Sequence, residues 1–167
     1  SRLIEDVFDA RRALTTPSCT HALELAALVL GIDSDDEVIL PSYTFPSTAT
    51  AFLLRGATLR FCDIDPETLN MDPDHFEQLV SEETKAVVPV HYAGIACEMD
   101  RICKIAGDYD VAVVEDAAQG VNALYTVTIS GQSVILAVIA SMEPKAMLLE
   151  RVVPLSSRMR ITSNEQK

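Results

Sequence analysis

The chemistry-bearing residues of this chain gather where apolar runs end. Residues 111–119 read V-A-V-V-E-D-A-A-Q, four apolar and mostly β-branched residues running into Glu115 and Asp116, then two alanines and Gln119. A carboxylate at the end of a buried strand needs a cation or a protonated nitrogen to offset its desolvation. The plainer alternative for Asp116 is that it caps the next turn. A second group, Ser18-Cys19-Thr20-His21, precedes an apolar stretch. Hydroxyls and free backbone N–H groups at a helix start suit a phosphate, although ordinary N-capping by Ser18 or Thr20 is the plainer reading. Phe45, in the loop Pro41-Ser42-Tyr43-Thr44-Phe45-Pro46, is either core or a flat surface on which a ring can stack. His91 ends another apolar run and is either a ligand contact or a hydrogen-bonded structural group.

The elements that must carry these groups follow from the pattern. Short apolar runs bounded by turn residues recur at 37–40, 57–62, 86–90 and from Val111, and each reads as a buried strand. Between them, helices are expected at 21–30, 47–54, 73–80 (capped by Asp72) and 98–106. The first of these is apolar nearly all round and ends at Gly31. Residues 1–14 read as a helix that starts without context, as though the true amino terminus lay upstream. Alternation of strands and helices predicts an α/β class with a mostly parallel sheet and helices on both faces. In such sheets ligands bind at the carboxyl ends of the strands, where Phe45, His91, Glu115 and Asp116 all fall.

Composition narrows the function. At 167 residues the chain is one domain by prior and buries a sizeable core. A net charge of -12 argues against nucleic-acid binding, because phosphate contacts need Lys and Arg. No run of 18 apolar residues predicts a membrane span, and residues 1–9 lack the basic start and apolar centre of a signal peptide. Cys19, Cys62, Cys97 and Cys103 form no CxxC pair and have no His at metal-ligand spacing, so no metal site is expected and the cysteines read as reduced thiols of a cytoplasmic protein. From Thr126 onward the balance changes, with four basic residues before Lys167 against Glu143, Glu150 and Glu165.

Five blocks, T-P-S-C-T-H-A-L-E-L-A-A, D-E-V-I-L-P-S-Y-T-F-P-S-T-A-T-A, F-C-D-I-D-P-E-T-L-N-M-D, V-P-V-H-Y-A-G and V-V-E-D-A-A-Q-G, resemble in sequence and order the DegT/DnrJ/EryC1/StrS sugar aminotransferases. Within them the blocks look most like the dTDP-4-amino-4,6-dideoxygalactose transaminase branch. The resemblance implies part of a fold-type-I large domain that binds pyridoxal phosphate, over residues 1–125. It implies transfer of an amino group, with glutamate as donor, to a 4-keto-6-deoxy sugar nucleotide, and a homodimer that shares active-site residues. By position, Asp116 would pair with the pyridine nitrogen, Gln119 would contact the phenolic oxygen and Phe45 would stack on the ring. Cys19, Thr20 and His21 would form the phosphate turn; Cys19 replaces the glycine common in relatives, which leaves that turn's backbone geometry open.

After Tyr125 the resemblance breaks, and residues 126–167 form an aberrant tail. The family should continue with G-H-I-G, a Ser-Phe-His segment, the Schiff-base lysine and G-E-G-G-A. When the last base of each codon is joined to the first two of the next, with synonymous bases left free, residues 134–137 read G-H-I-G. By the same shift residues 138–145 read C-Y-S-F-H-G-T-K, residues 150–154 read G-E-G-G-A and residues 164–167 read E-R-A-E. The expectation is a frameshift near Thr126. Lys145 stands at the Schiff-base position and is lysine in both frames, whereas a relative that performs dehydration carries histidine there. Its neighbours Ala140-Ser141-Met142-Glu143-Pro144 are not the family's, and a nucleophilic lysine needs a held position and a lowered pKa. The expectation is therefore weak or absent activity, with strands left unpartnered. The alternative is a non-enzymatic fragment of a disrupted gene, or a small α/β ligand-binding module, although no GxGxxG phosphate loop occurs.

Overall fold

The computed structural model describes residues 12–119, 126–127, 134–139, 146–151 and 159–160. Strands β1 (Arg12–Thr15), β2 (Glu37–Pro41), β3 (Thr58–Cys62), β4 (Thr84–Val87) and β5 (Ala112–Ala117) alternate with helices α1 (Cys19–Val29), α2 (Pro46–Leu53), α3 (Pro73–Leu79) and α4 (Met99–Asp108). Beyond them lie β6 (Thr126–Val127), β7 (Val134–Ile139), β8 (Ala146–Arg151) and β9 (Met159–Arg160). Among the described residues the main sheet has seven strands in the order β1-β8-β7-β5-β4-β2-β3. Strands β3, β2, β4, β5 and β7 run parallel, and β8 runs antiparallel to both of its neighbours. The expected α/β class with a mostly parallel sheet is what the chain adopts.

Alternation along the strands assigns helices to both faces, because successive side chains of a strand point to opposite sides. Val38, Leu40, Ala86, Val88 and Val114 pack with Leu23, Ala26 and Ala27 of α1 and Phe52 of α2. Their neighbours Ile39, Val87 and Val113 pack instead with Phe76 of α3 and Ile102, Cys103 and Ala106 of α4. Phe52 is fully buried, so Phe52→Ala is expected to cost about 3–5 kcal/mol of stability. The check is the urea unfolding midpoint at unchanged slope; a loss under about 1 kcal/mol would mean that this face of the core is not packed as described.

The connection order creates one switch point. From β2 the chain passes through α2 to β3 on one side, then crosses back to β4 on the other. Open α/β sheets bind ligands outside the carboxyl ends of the strands at such a reversal. Here the loops after β2 and β4 and the end of β5 meet.

Local differences from the sequence reading have physical causes. Residues 12–15 form a strand, because antiparallel pairing with β8 along all four residues overrides the good helix propensity of Arg12, Ala13 and Leu14. Helix α1 starts at Cys19, two residues before the expected start, since Ser18 provides the cap. Strand β5 is paired on its far side by β7 from Val113↔Ile135 to Ala117↔Ile139, so this strand is not left unpartnered. Gly31 ends α1 with φ of 66°, a left-handed conformation that glycine adopts without strain.

Candidate active site

Asp116 is held at the carboxyl end of β5 by its backbone before its side chain makes any contact. Its N–H donates to the Pro89 carbonyl at 2.9 Å, and its own carbonyl accepts from the His91 N–H at 3.1 Å. The β4–β5 ladder thus extends through the bridge Val90↔Asp116, and the carboxylate cannot drift along the strand. The residue is 4% exposed. Oδ2 accepts from the Thr48 hydroxyl at 2.8 Å. Oδ1 accepts from the Ala118 N–H at 3.1 Å and from the Cys19 thiol at 3.6 Å. The capping alternative is therefore real, in that Asp116 does cap the turn at Ala118, but it is only one of three contacts. Every one of these donors is neutral, and among the described residues no basic side chain pairs with Asp116. A buried carboxylate with only neutral partners is a site that wants a positive group.

The strand ends bring the other groups round it. Cys19 and Thr20 open α1, with Ser18 as the N-cap: its Oγ accepts from the His21 N–H at 3.2 Å and lies 2.6 Å from His21 Nδ1. Ser18 is thus the capping residue, and the first-turn N–H groups of α1 have no carbonyl partner within the helix. Cys19 is helical and absent from the positive-φ residues, so this turn does not need the glycine usual there. Phe45 is 72% exposed and is not core; its backbone starts α2, and its carbonyl accepts from the Thr48 N–H at 3.0 Å. Gln119 Oε1 accepts from the Ala93 N–H at 2.8 Å. That bond turns the amide nitrogen into the outward donor, and among the described residues Nε2 has no partner. The bond depends on Ala93 in a left-handed conformation, φ 52°. Lys145 lies outside the described residues.

His91 is structural. Nε2 lies 3.0 Å from Glu115 Oε2, and Nδ1 accepts from the Cys97 N–H at 3.2 Å. Burial disfavours a charge on the ring, whereas the Cys97 thiol and the Glu115 carboxylate pull its pKa upward. The Cys97 N–H needs the Nδ1 lone pair, which puts the proton on Nε2, facing Glu115. With both ring nitrogens engaged, His91 locks the bend after β4 to β5 and offers nothing to a ligand. Glu115 points to this pair and Asp116 away from it, as strand alternation requires. Burial, with Asp72 and Asp63 adding to it, pushes the Cys62 thiol up to about 12; burial, with Glu115 and Asp100, does the same to Cys103. Neither is a nucleophile at neutral pH.

Two groups at this site escaped the sequence reading. One is Thr48, which shares the i, i+3, i+4 face of α2 with Ala51 and Phe52, all three buried. A hydroxyl on an apolar face must find a partner, and that periodicity was the available signal. The other is the pair Tyr43–Tyr92, with hydroxyls 3.1 Å apart and rings tilted by 57° at 4.9 Å. It joins two loops distant in sequence, and no local pattern announces it.

Known proteins share both the sequence and the architecture. The sequence profile of the DegT/DnrJ/EryC1/StrS aminotransferase family matches residues 2–139. The spore coat polysaccharide biosynthesis protein SpsC of Bacillus subtilis is 47% identical over 116 residues, covering 70% of this chain and 30% of that protein. GDP-perosamine synthase of Caulobacter vibrioides is 40% identical over 120 residues, covering 72% of this chain and 32% of that protein. The chain thus spans about a third of the length of these relatives. The crystal structure of 3-amino-5-hydroxybenzoic acid synthase superposes with a TM-score of 0.77 at 31% identity, over 89% of this chain and 41% of that one. The protein Spr1654 of Streptococcus pneumoniae in its PLP form gives 0.78 at 26% identity, over 90% and 44%. The sheet is accordingly part of the fold-type-I large domain of pyridoxal-phosphate transferases. No helix among the described residues is long and apolar enough to cross a membrane. With its profile match running from residue 2 to 139 across the sheet that holds Asp116, this chain belongs to the DegT/DnrJ/EryC1/StrS aminotransferase family.

Proposed function

We propose that this chain carries the cofactor half of a pyridoxal-phosphate-dependent aminotransferase of a 4-keto-6-deoxy sugar nucleotide, with glutamate as amino donor. The observation that carries this is the buried Asp116 carboxylate, whose donors among the described residues are all neutral, tied through Thr48 to the loop of Phe45 and through Cys19 to the start of α1. Pyridoxal phosphate, when bound, supplies an electron sink whose strength depends on a protonated ring nitrogen. Asp116 would hold that proton, and Gln119 Nε2 would donate to the phenolic oxygen. Phe45 would present a flat apolar face, and Thr20 and His21, with Cys19, would turn the start of α1 toward phosphate. Lys145 is proposed as the amine that attaches the cofactor and then moves the proton as acid and base. Its sequence neighbour Ala146 pairs with Ile139, which pairs in turn with Ala117.

The tail and the assembly belong to the same proposal. We read residues 126–167 as family sequence shifted by one base, and expect slow or no turnover from the chain as it stands. A homodimer in the cytoplasm follows from the family resemblance, and SpsC and GDP-perosamine synthase support a sugar substrate by name. The test is titration with pyridoxal phosphate followed by borohydride reduction. A visible band that reduction fixes onto Lys145, and that Lys145→Ala abolishes, supports the proposal. No band, and no change in the variant, favours a fragment without activity.

A further inference from the structure

The hydroxyls of Thr44 and Thr48 form a directed relay onto Asp116. Thr48 Oγ1 lies 2.8 Å from Asp116 Oδ2 and 2.9 Å from Thr44 Oγ1. An ionised carboxylate only accepts, so Thr48 must spend its single hydroxyl proton on Asp116. Thr44 is then the donor to Thr48, and the order Thr44→Thr48→Asp116 is fixed. Thr48 is fully buried, which excludes competition from water. The carboxylate's remaining capacity can be counted. Among the described residues Oδ1 accepts from Cys19 and Ala118, while Oδ2 accepts only from Thr48. With about two lone-pair directions per oxygen, the uncommitted position is on Oδ2.

We infer that the Thr44–Thr48 relay is a positioning device that fixes Asp116 so that the free lone pair of Oδ2 serves the ring nitrogen of pyridoxal phosphate. The relay also ties that oxygen to the loop bearing Phe45, since Thr44 precedes Phe45 and the Thr48 N–H closes on the Phe45 carbonyl. The edge contact and the face contact of the ring are thus set by one short hydrogen-bonded unit. Thr48 acts through Asp116 and does not touch the ring itself. The inference rests on the cofactor assignment above.

The test compares dissociation constants by equilibrium dialysis on the full chain, for pyridoxal phosphate and for its 1-deaza analogue, which has carbon in place of the ring nitrogen. Thr48→Val keeps the volume and removes the donor; Thr48→Ser keeps the donor. Thr48→Val is expected to weaken pyridoxal phosphate roughly tenfold and to leave the deaza analogue within about twofold, with Thr48→Ser restoring most of the loss. Equal weakening of both compounds would reduce Thr48 to a packing role and overturn the inference, as would an unchanged affinity. Should the unmodified chain bind neither compound, the cofactor assignment itself fails, and that outcome is distinct from the other two.

Discussion

Replacing Asp116 by asparagine is expected to lower the affinity for pyridoxal phosphate by at least about 10²-fold while the chain stays folded. Asparagine has the same shape, and its carbonyl can still accept from Thr48. Its amide nitrogen then faces the Ala118 N–H and the Cys19 thiol as a donor, which costs about 1–3 kcal/mol locally. The larger effect falls on the ligand. A protonated ring nitrogen in a site where Asp116 is 4% exposed loses the counter-charge of that carboxylate, and removing one partner of a buried ion pair costs about 3–5 kcal/mol. Among the described residues no cation pairs with Asp116, so no such pair is lost in the free protein, and the urea midpoint should move far less than the affinity. Dialysis and unfolding measured on the same preparation check both halves. Retained affinity in Asp116→Asn would remove the foundation of the proposed function.

A chain whose residues 126–167 are replaced by the shifted reading is expected to bind the cofactor at least about 10²-fold more tightly, and to hold it covalently through Lys145. The lysine is the same in both frames, so the experiment isolates its surroundings. In the chain as it stands, Met142-Glu143-Pro144 precede Lys145; the shifted frame puts His-Gly-Thr there, after Ser-Phe. A serine and a threonine that donate to phosphate oxygens form charge-assisted bonds worth about 1.5–3 kcal/mol each, whereas a glutamate near phosphate repels it. Mass spectrometry of the reduced lysine peptide reads attachment, and the gene sequence across the codons for residues 124–130 supplies the true third bases. If the restored tail bound the cofactor no better than the present one, the frameshift would have no bearing on function.

The amino-acid sequence by itself determined the α/β alternation, the strand ending at Asp116 and the family, because each is written locally. Apolar runs of strand length, Gly31 after α1 and Asp72 before α3 act over a few residues, and five motif blocks in order leave little freedom. The sequence could not decide between ligand and structure for His91, because that depends on Glu115 and Cys97, 24 and 6 residues away. It left Phe45 open between core and surface, which only the packing of α2 on the sheet settles. It placed residues 12–14 within a helix over 1–14, since the strand that pairs with them lies more than a hundred residues further on. Thr48 passed unnoticed because a hydroxyl shows its purpose only when the fold brings an acceptor to it. Tertiary structure decided these points for a common reason: a buried polar group is defined by its partner, and the partners here come from separate strand ends that meet only when the sheet forms.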